Sequence, residues 1–318
     1  MHQDLGSALI ILFGAILVDV LFGEYPRFLH PVVWLGLVIS AAIRIAPKTG
    51  KWRQLLFGAI LAVILCGGCV ALVWFALDWA AEYPLVHIGL GIFFLKASMA
   101  LTELGNAARK VWRPLQDGDT ASARRALPSL CSRDPSELGQ EEILEATIES
   151  LAENVSDSWV APLFFFLLLG VPGAVGYRVI NTLDAMIGYR GKFEWLGKTS
   201  ARLDDLLNWI PARLTALLLL LVGWLGRRDA AGGWNVLRRD GGKTPSPNGG
   251  RPMAVMAGLL NVQLRKKGCY VLGEPGQPVT GEKVLQAWRL VRAAACLMAF
   301  LTGAILVVAL AEPGDWLS

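Results

Sequence analysis

The sequence predicts an all-α integral membrane protein, a multi-span helical bundle with about 4–6 spans, re-entrant segments and polar cytoplasmic loops. Of its 318 residues, 54% are hydrophobic and 18% are charged, whereas soluble domains have about 45–50% apolar and about 25% charged residues. Because the apolar residues are concentrated in long runs, a count of spans describes the architecture better than a count of soluble domains. We therefore expect residues 1–318 to form a single membrane-embedded domain with polar motif loops at 102–158, 183–209 and 227–288.

Four apolar runs are near or above the roughly 17–25 residues that cross a bilayer core. They are residues 7–22, 55–81, 85–101 and 290–311. The first run has no positively charged leader and no small-residue cleavage site, so we expect it to remain as a transmembrane helix. Residues 30–46 are also apolar, and they predict either a short span or a helix that lies at the interface.

Two further apolar segments do not fit a plain span. Residues 159–180 are long enough to cross, but Pro172 and Gly173 divide them into two halves of about ten residues, which suggests a re-entrant hairpin. Residues 211–226 are short and are bounded by Arg213 and Arg227. The Lys and Arg distribution places the polar stretches in the cytoplasm if both segments return to the side they entered from. The alternative is that both cross and leave residues 183–208 outside.

Charge and cysteine content argue against two other classes of protein. The net charge is +4, and Lys and Arg alternate with Asp and Glu between the apolar runs. This pattern lacks the single basic surface of nucleic-acid binders, so we expect no nucleic-acid partner. Cys66 and Cys69 form a C-x-x-C pair inside an apolar run, which indicates small packed residues rather than metal ligands.

Residues 141–157 form the first of three polar stretches that carry candidate chemistry. Glu142, Glu145, Glu149 and Glu153 recur at three- and four-residue spacing, so a helix presents them on one face. A solvated acidic face is the ordinary explanation of such a pattern. This face, however, leads directly into the apolar segment at Trp159, where an unpaired carboxylate is costly and usually meets a cation.

The second and third stretches combine charged residues with turn formers. Residues 181–215 mix Asp184, Asp204 and Asp205 with Lys and Arg, which is suitable equipment for magnesium and phosphate. Interfacial ion pairs and snorkelling basic side chains explain these charges equally well. Residues 243–250, KTPSPNGG, contain backbone amides that could cradle an anion, although the P-loop pattern is missing and a plain loop is the simpler interpretation.

Five strings stand in a fixed order along the chain: SRDPSEL, ATIESLAENVSDSWVAPLF, GVPGAVGYRVINTLDAMIGYR, TSARLDDLLNWIPARLT and PSPNGGRPMAVMAG. An opening D-x-x-x-G-E-Y-P pattern and His30-Pro31-Val32 precede them. Together these motifs resemble the membrane-bound amide synthase of cobalamin biosynthesis, adenosylcobinamide-phosphate synthase (the CbiB/CobD family). The similarity covers residues 19–273, and we interpret His30 as part of a structural turn.

The resemblance implies an ATP-dependent ligase that joins adenosylcobyric acid to aminopropanol phosphate, or to a related aminoalcohol phosphate, and so makes adenosylcobinamide phosphate. ATP and Mg²⁺ are the implied cofactors. A carboxylate is a poor electrophile, so ATP would first convert it to an acyl phosphate that the amine then attacks. The implied partners are the corrinoid substrate, the aminoalcohol phosphate, the lipid bilayer of the bacterial cell (inner) membrane, which the chain crosses in several passes, and other membrane enzymes of nucleotide-loop assembly.

The motifs of the family match site residues in this chain, and we assign their roles, together with Lys243, from the chemistry that the reaction requires. The catalytic residues would be Glu149, Glu153, Asn154 and Asp157, with Glu149 or Glu153 activating the amine. The metal ligands would be Asp184, Asp204 and Asp205. The substrate- and phosphate-binding residues would be Asn181, Tyr189, Arg190, Arg202, Arg213, Lys243, Ser246 and Asn248. This chain departs from many relatives at Ser158, where they have glycine, and at Met253, where they have an acidic residue.

Two alternatives come from other classes. A related membrane protein associated with β-lactamase induction suggests a non-catalytic sensor or regulator. A sensor would not need the A-E-N-x-x-D, N-T-L-D, A-R-x-D-D and S-P-N motifs together, and all of them are present. A corrinoid or metal transporter would place charges in the middle of spans, whereas here they cluster at span ends and in loops.

Overall fold

The computed structural model describes residues 5–189, 191 and 193–311. The helices are α1 (Leu5–Phe22), α2 (Pro31–Ile45), α3 (Lys51–Trp79), α4 (Pro84–Ser98), α5 (Leu101–Gln116), α6 (Thr120–Ala126), α7 (Gln140–Val155), α8 (Ala161–Ile187), α9 (Lys198–Leu207), α10 (Trp209–Leu225), α11 (Ala230–Asp240), α12 (Gly250–Leu260) and α13 (Gly281–Ala311). Within the described residues, the strands β1 (Leu264–Lys266) and β2 (Tyr270–Leu272) form one antiparallel hairpin. The all-α prediction is confirmed.

The chain packs as two compact units. Of the described residues, those within 1–100, 161–207 and 299–318 form the first unit, and those within 101–160 and 208–298 form the second. Helices α1, α3, α4 and α13 correspond to the four predicted spans. Among the residues that the structure describes, five helical segments can cross a membrane by length and composition, and a sixth is added if α9 and α10 are counted as one span. The prediction of a multi-pass membrane protein is confirmed.

Helix α1 shows why the first unit suits a bilayer. Phe13, Leu17 and Val20 are each more than half exposed, which is costly in water but favourable against lipid chains. On its other face α1 packs on α4, and a methyl group added at Gly14 would overlap Ile92. Gly14 therefore leaves room for the Ile92 side chain at this helix contact, in keeping with the small residues common between membrane helices.

The predicted break in residues 159–180 is confirmed, and it lies at Gly170. This residue has φ 67° and ψ −162°, so α8 consists of two helical arms. The rings of Phe165 and Tyr177 stack with centroids 5.3 Å apart, although residues this far apart in a straight helix would be separated by about 18 Å. The arms therefore lie side by side. Pro172 falls in the first turn of the second arm, where a missing N–H is tolerated.

A buried charge cluster joins the ends of α1 and α4. Lys96 is fully buried, and its Nζ lies 3.2 Å from Asp19 Oδ1 and 3.1 Å from Glu24 Oε1. His30 Nε2 lies 2.6 Å from Glu24 Oε2, and its Nδ1 accepts the N–H of Val32 at the start of α2. Burial raises the pKa of Glu24, but the His30 hydrogen bond and the Lys96 charge lower it further, to below its usual value. The structural-turn prediction for His30 is confirmed.

The second unit contains most of the predicted polar loops, and much of their length is helical. Residues 102–158 form α5, α6 and α7, while residues 227–288 include α11, α12 and the β hairpin. Helix α12 is apolar around its whole circumference and is buried from Pro252 to Leu260, as expected for a helix without a polar face. It packs on α7, α10 and α11, and so it supports the loop that precedes it.

Candidate active site

The acidic face of α7 is paired with arginines in the second unit. Glu145 Oε1 accepts a hydrogen bond of 3.0 Å from Arg265 Nη2, and its Oε2 accepts the Arg265 backbone N–H at 3.1 Å. Glu149 Oε2 lies 2.5 Å from Arg133 Nη2, and the Glu149 side chain is 5% exposed. The prediction that this face meets cations is confirmed for both carboxylates.

Arg133 and Tyr270 complete the surroundings of Glu149. Arg133 Nη2 donates to Glu149 and its Nη1 donates to Arg265 O at 3.2 Å, while the Tyr270 hydroxyl lies 4.0 Å from Met253 Sδ. Burial, together with the negative charges of Glu149 and Glu153, raises the pKa of Tyr270 well above its usual value, so its hydroxyl stays protonated at neutral pH. Glu149 Oε1 is buried and has no hydrogen-bond partner among the residues that the structure describes.

The other predicted catalytic residues lie at the C-terminal end of α7 and just beyond it. Glu153 is half-buried, and a methyl group at Gly249 would overlap its Oε1. Its carboxylate therefore rests on the loop before α12. Asn154 Nδ2 donates to Leu130 O at 3.1 Å, which anchors α7 to the chain before it. Asp157 is half-buried in a π-helical turn, Ser156–Val160, a feature that is frequent at functional sites.

The S-P-N loop is held by its own side chains and by α10. Asn248 is buried, its N–H donates to Ser246 Oγ at 3.3 Å, and its Oδ1 accepts from Arg213 Nη1 at 3.3 Å. Arg213 also donates to Trp209 O at 2.6 Å and stacks over the Trp209 ring. The structure therefore brings together three of the predicted binding residues.

Lys243 has a different partner. Its Nζ lies 2.6 Å from Asp240 Oδ1, and Asp240 also accepts from Arg239 and from the Gly273 backbone N–H. Burial raises the pKa of Asp240, but the hydrogen bonds from Arg239 and Lys243 lower it further, to well below its usual value. Lys243 therefore neutralises a carboxylate that ties α11 to the β hairpin, and its phosphate-binding role stays a prediction.

A second polar cluster lies in the first unit, on α8 and α9. Asn181 Nδ2 donates to Asp204 Oδ1 at 3.2 Å, and Arg178 Nη1 donates to Asn181 Oδ1 at 3.2 Å. Asp184 and Asp205 are half-buried. Tyr189 and Arg202 are exposed, while Arg190 lies outside the described residues. The structure therefore joins the N-T-L-D motif to the A-R-x-D-D motif.

The donors of this cluster suit Mg²⁺, which prefers hard oxygen ligands. Among the described residues, no three His, Cys, Asp or Glu side chains converge as a closed metal site. Mg²⁺ is usually held by one or two carboxylates, with substrate phosphates and water completing the shell. Asp204, beside the amide of Asn181, fits an open site of that kind. The magnesium assignment stays a prediction.

A cavity of about 670 Å³ lies in the second unit between the start of α7 and the β hairpin. It is lined by charges of both signs, among them Glu141, Glu145, Arg265, Lys266 and Lys267. Tyr270 also lines it. A polar substrate of moderate size can therefore approach the acidic face of α7.

Four polar residues of these clusters were not assigned from the sequence: Arg133, Arg178, Arg251 and Tyr270. Arg178 and Arg251 lie in apolar helices, and the Nε of each is buried without a hydrogen-bond partner among the described residues. Their signal is the presence of a cation inside an apolar segment, which usually marks a functional residue. The partners of Arg133 and Tyr270 are distant in sequence, so only the structure reveals them.

The fold and these clusters define a multi-pass helical membrane protein with carboxylate–arginine pairs in the second unit and an Arg178, Asn181 and Asp204 cluster in the first. Residues 12–298 match the family model described as CobD/Cbib protein. The chain belongs to the CobD/Cbib family, and the resemblance that its motifs indicated is confirmed.

Curated relatives cover nearly the whole chain. The cobalamin biosynthesis protein CobD of Dehalococcoides mccartyi is 42% identical over 302 residues, which are 95% of this chain and 98% of the relative. The probable cobalamin biosynthesis protein CobD of Methanocaldococcus jannaschii is 39% identical over 89% of this chain and 93% of its own length. The CobD of Geobacter metallireducens is 34% identical over 94% and 96%, respectively. No solved structure matches the chain.

We expect Arg133→Met to destabilise the protein strongly, because it leaves Glu149 buried without its cation. Removing one partner of a buried ion pair costs about 3–5 kcal/mol. The measurement is the unfolding midpoint in detergent, followed by tryptophan fluorescence. Arg109→Met, which changes an exposed arginine of the same unit, is the control. If the two variants have the same unfolding midpoint, the Arg133 and Glu149 pair does not stabilise the fold.

Proposed function

We propose that this chain is an ATP-dependent ligase of cobalamin biosynthesis in the bacterial inner membrane. It would join adenosylcobyric acid to aminopropanol phosphate, or to a related aminoalcohol phosphate, by an amide bond. Family membership supports the pathway. The observation that most directly supports this reaction is the position of Glu153 against the loop that Arg213 contacts. Amide formation from an aminoalcohol phosphate needs a base beside a group that binds the phosphate.

The two candidate bases differ in their surroundings. The charge of Glu149 is committed to Arg133 at 2.5 Å, and its side chain is almost completely buried. Glu153 is half-buried and lies against the loop. A general base must reach the proton that it removes, so we assign Glu153 to the amine. Glu149 and Arg133 then form a buried pair that fixes the orientation of α7, and Arg133 also ties it to Arg265 O at 3.2 Å.

The α8 and α9 cluster supplies groups for the nucleotide. Asp204, Asp184, Asp205 and Asn181 are the residues that would hold Mg²⁺. When bound, the ion would neutralise phosphate oxygens of ATP and so favour transfer to the corrinoid carboxylate. Arg178, which touches Asn181, adds a positive charge to the same cluster. Positioning and charge stabilisation are the main contributions that such a reaction requires.

The proposed activity is tested with purified protein in detergent. We expect adenosylcobyric acid and aminopropanol phosphate to yield adenosylcobinamide phosphate, detected by mass spectrometry, only when ATP and Mg²⁺ are both present. Omission of ATP and chelation of the metal are the matched controls. If folded protein forms no amide with any aminoalcohol phosphate, the ligase proposal is wrong and a sensor function is favoured.

A further inference from the structure

Arg251 stands directly after the S-P-N loop, in the first turn of α12. Its Nε is buried and has no hydrogen-bond partner among the residues that the structure describes. Buried polar groups are nearly always hydrogen-bonded, and a guanidinium N–H without a partner is costly. An anion that accepted the Nε–H of Arg251 would remove this cost.

A second guanidinium group contacts the same loop residue as Arg251. The Arg251 backbone N–H donates to Asn248 O at 3.0 Å, and Arg213 Nη1 donates to Asn248 Oδ1 at 3.3 Å. Arg213 is held there by the Trp209 ring and by Trp209 O. A dianion bound at this loop would meet both positive charges. Guanidinium groups are well suited to phosphate because their N–H donors match its oxygens.

Glu153 supplies the opposite charge on the same loop. Its Oε1 occupies the space into which a side chain at Gly249 would project. Gly249 separates Asn248, which Arg213 binds, from the turn that begins α12. Residues 248–251 therefore bring together two arginine side chains, Arg213 and Arg251, and the carboxylate of Glu153.

An aminoalcohol phosphate has the complementary charges. It is a short molecule with an ammonium group at one end and a phosphate dianion at the other. We infer that Arg213 and Arg251 bind the phosphate of this substrate while Glu153 receives its ammonium group. The inference rests on the proposed function, and it assigns Arg251 as a binding residue and the S-P-N loop as the amine subsite.

The proton and electron balance of the step is simple. The Glu153 carboxylate takes one proton from the ammonium group and leaves a neutral amine. The amine lone pair forms the C–N bond at the carbonyl carbon that ATP has activated, and the C–O bond to phosphate breaks. The departing phosphate takes the electron pair and the second nitrogen proton.

The triphosphate of ATP offers the same phosphate chemistry, so the test must separate the two sources. Arg251→Gln is assayed by varying aminopropanol phosphate at saturating ATP, and then by varying ATP at saturating aminopropanol phosphate. We expect KM for aminopropanol phosphate to rise by about tenfold or more, as for the loss of a charged hydrogen bond, with KM for ATP unchanged. Arg251→Gln should use 1-amino-2-propanol, which lacks the phosphate, as efficiently as the wild type does.

Two further variants make the test decisive. Arg238→Gln changes an exposed arginine of α11 and should behave like the wild type. Arg251→Lys keeps the charge but loses the guanidinium geometry, so KM should rise less than in Arg251→Gln. This variant decides the question if Arg251→Gln does not fold.

The outcomes are distinguishable. Unchanged kinetics in Arg251→Gln, or a rise in KM for ATP alone, would overturn the subsite while leaving the ligase activity intact. An inactive but folded wild-type protein would instead refute the proposed function itself.

Discussion

Asp204→Asn should lower turnover by about 100-fold or more while the protein remains folded, as is common when one electrostatic stabiliser of a transition state is lost. Asp204 accepts an N–H from Asn181 in the α8 and α9 cluster. An asparagine keeps the size and can still accept that hydrogen bond through its carbonyl oxygen. The variant therefore removes the charge and leaves the packing nearly unaltered. At least one of Asp184→Asn and Asp205→Asn should have a similar effect.

A purely structural role predicts a much smaller loss. A partly exposed polar contact is worth about 0–1 kcal/mol, which changes a rate by less than about tenfold even if it acts fully on the transition state. Asp78→Asn, an exposed carboxylate of the same unit, is the matched control. The measurement is kcat with ATP and Mg²⁺ saturating, together with the melting temperature. If all three cluster variants keep more than about a tenth of wild-type turnover, the magnesium assignment is wrong, and Glu149, Glu153 and Asp157 become the better candidates.

Lys96→Met should destabilise the first unit by about 3–5 kcal/mol, the cost of leaving buried charges without their partner. Lys96 is fully buried between Asp19 and Glu24. Methionine has a similar length, so little volume is lost. What remains is the uncompensated carboxylate of Asp19, which is also fully buried. Glu24 is affected less, because His30 still contacts it.

A double variant separates charge from packing in this cluster. Lys96→Met combined with Asp19→Asn removes both buried charges, and we expect it to be more stable than Lys96→Met alone. Lys48→Met changes an exposed lysine of the same unit and should be nearly neutral. Stability is measured as the unfolding midpoint in detergent. Equal midpoints for Lys96→Met and Lys48→Met would show that the cluster does not stabilise the helix ends.

The sequence alone determined the membrane class, four of the spans and the family. The class and the spans depend on local composition, because a long apolar run needs hydrocarbon around it wherever it lies in the fold. The family follows from the motifs, which are also local in sequence. The same is true of the acidic face of α7, since helical periodicity places Glu145, Glu149 and Glu153 in line. The break in α8 was also predicted, although its position moved to Gly170 because Pro172 is tolerated in the first turn of a helix.

The tertiary structure decided which charges meet. Glu145 pairs with Arg265, 120 positions away in the sequence, and Asn181 pairs with Asp204 in a different helix. No local pattern predicts such contacts, because they depend on how helices pack and on which side chains lose water. For the same reason Lys243, predicted to bind phosphate, is found beside Asp240. Arg251, by contrast, lies in an apolar helix where no local pattern marks it, and only the packing shows that its buried Nε has no partner among the described residues.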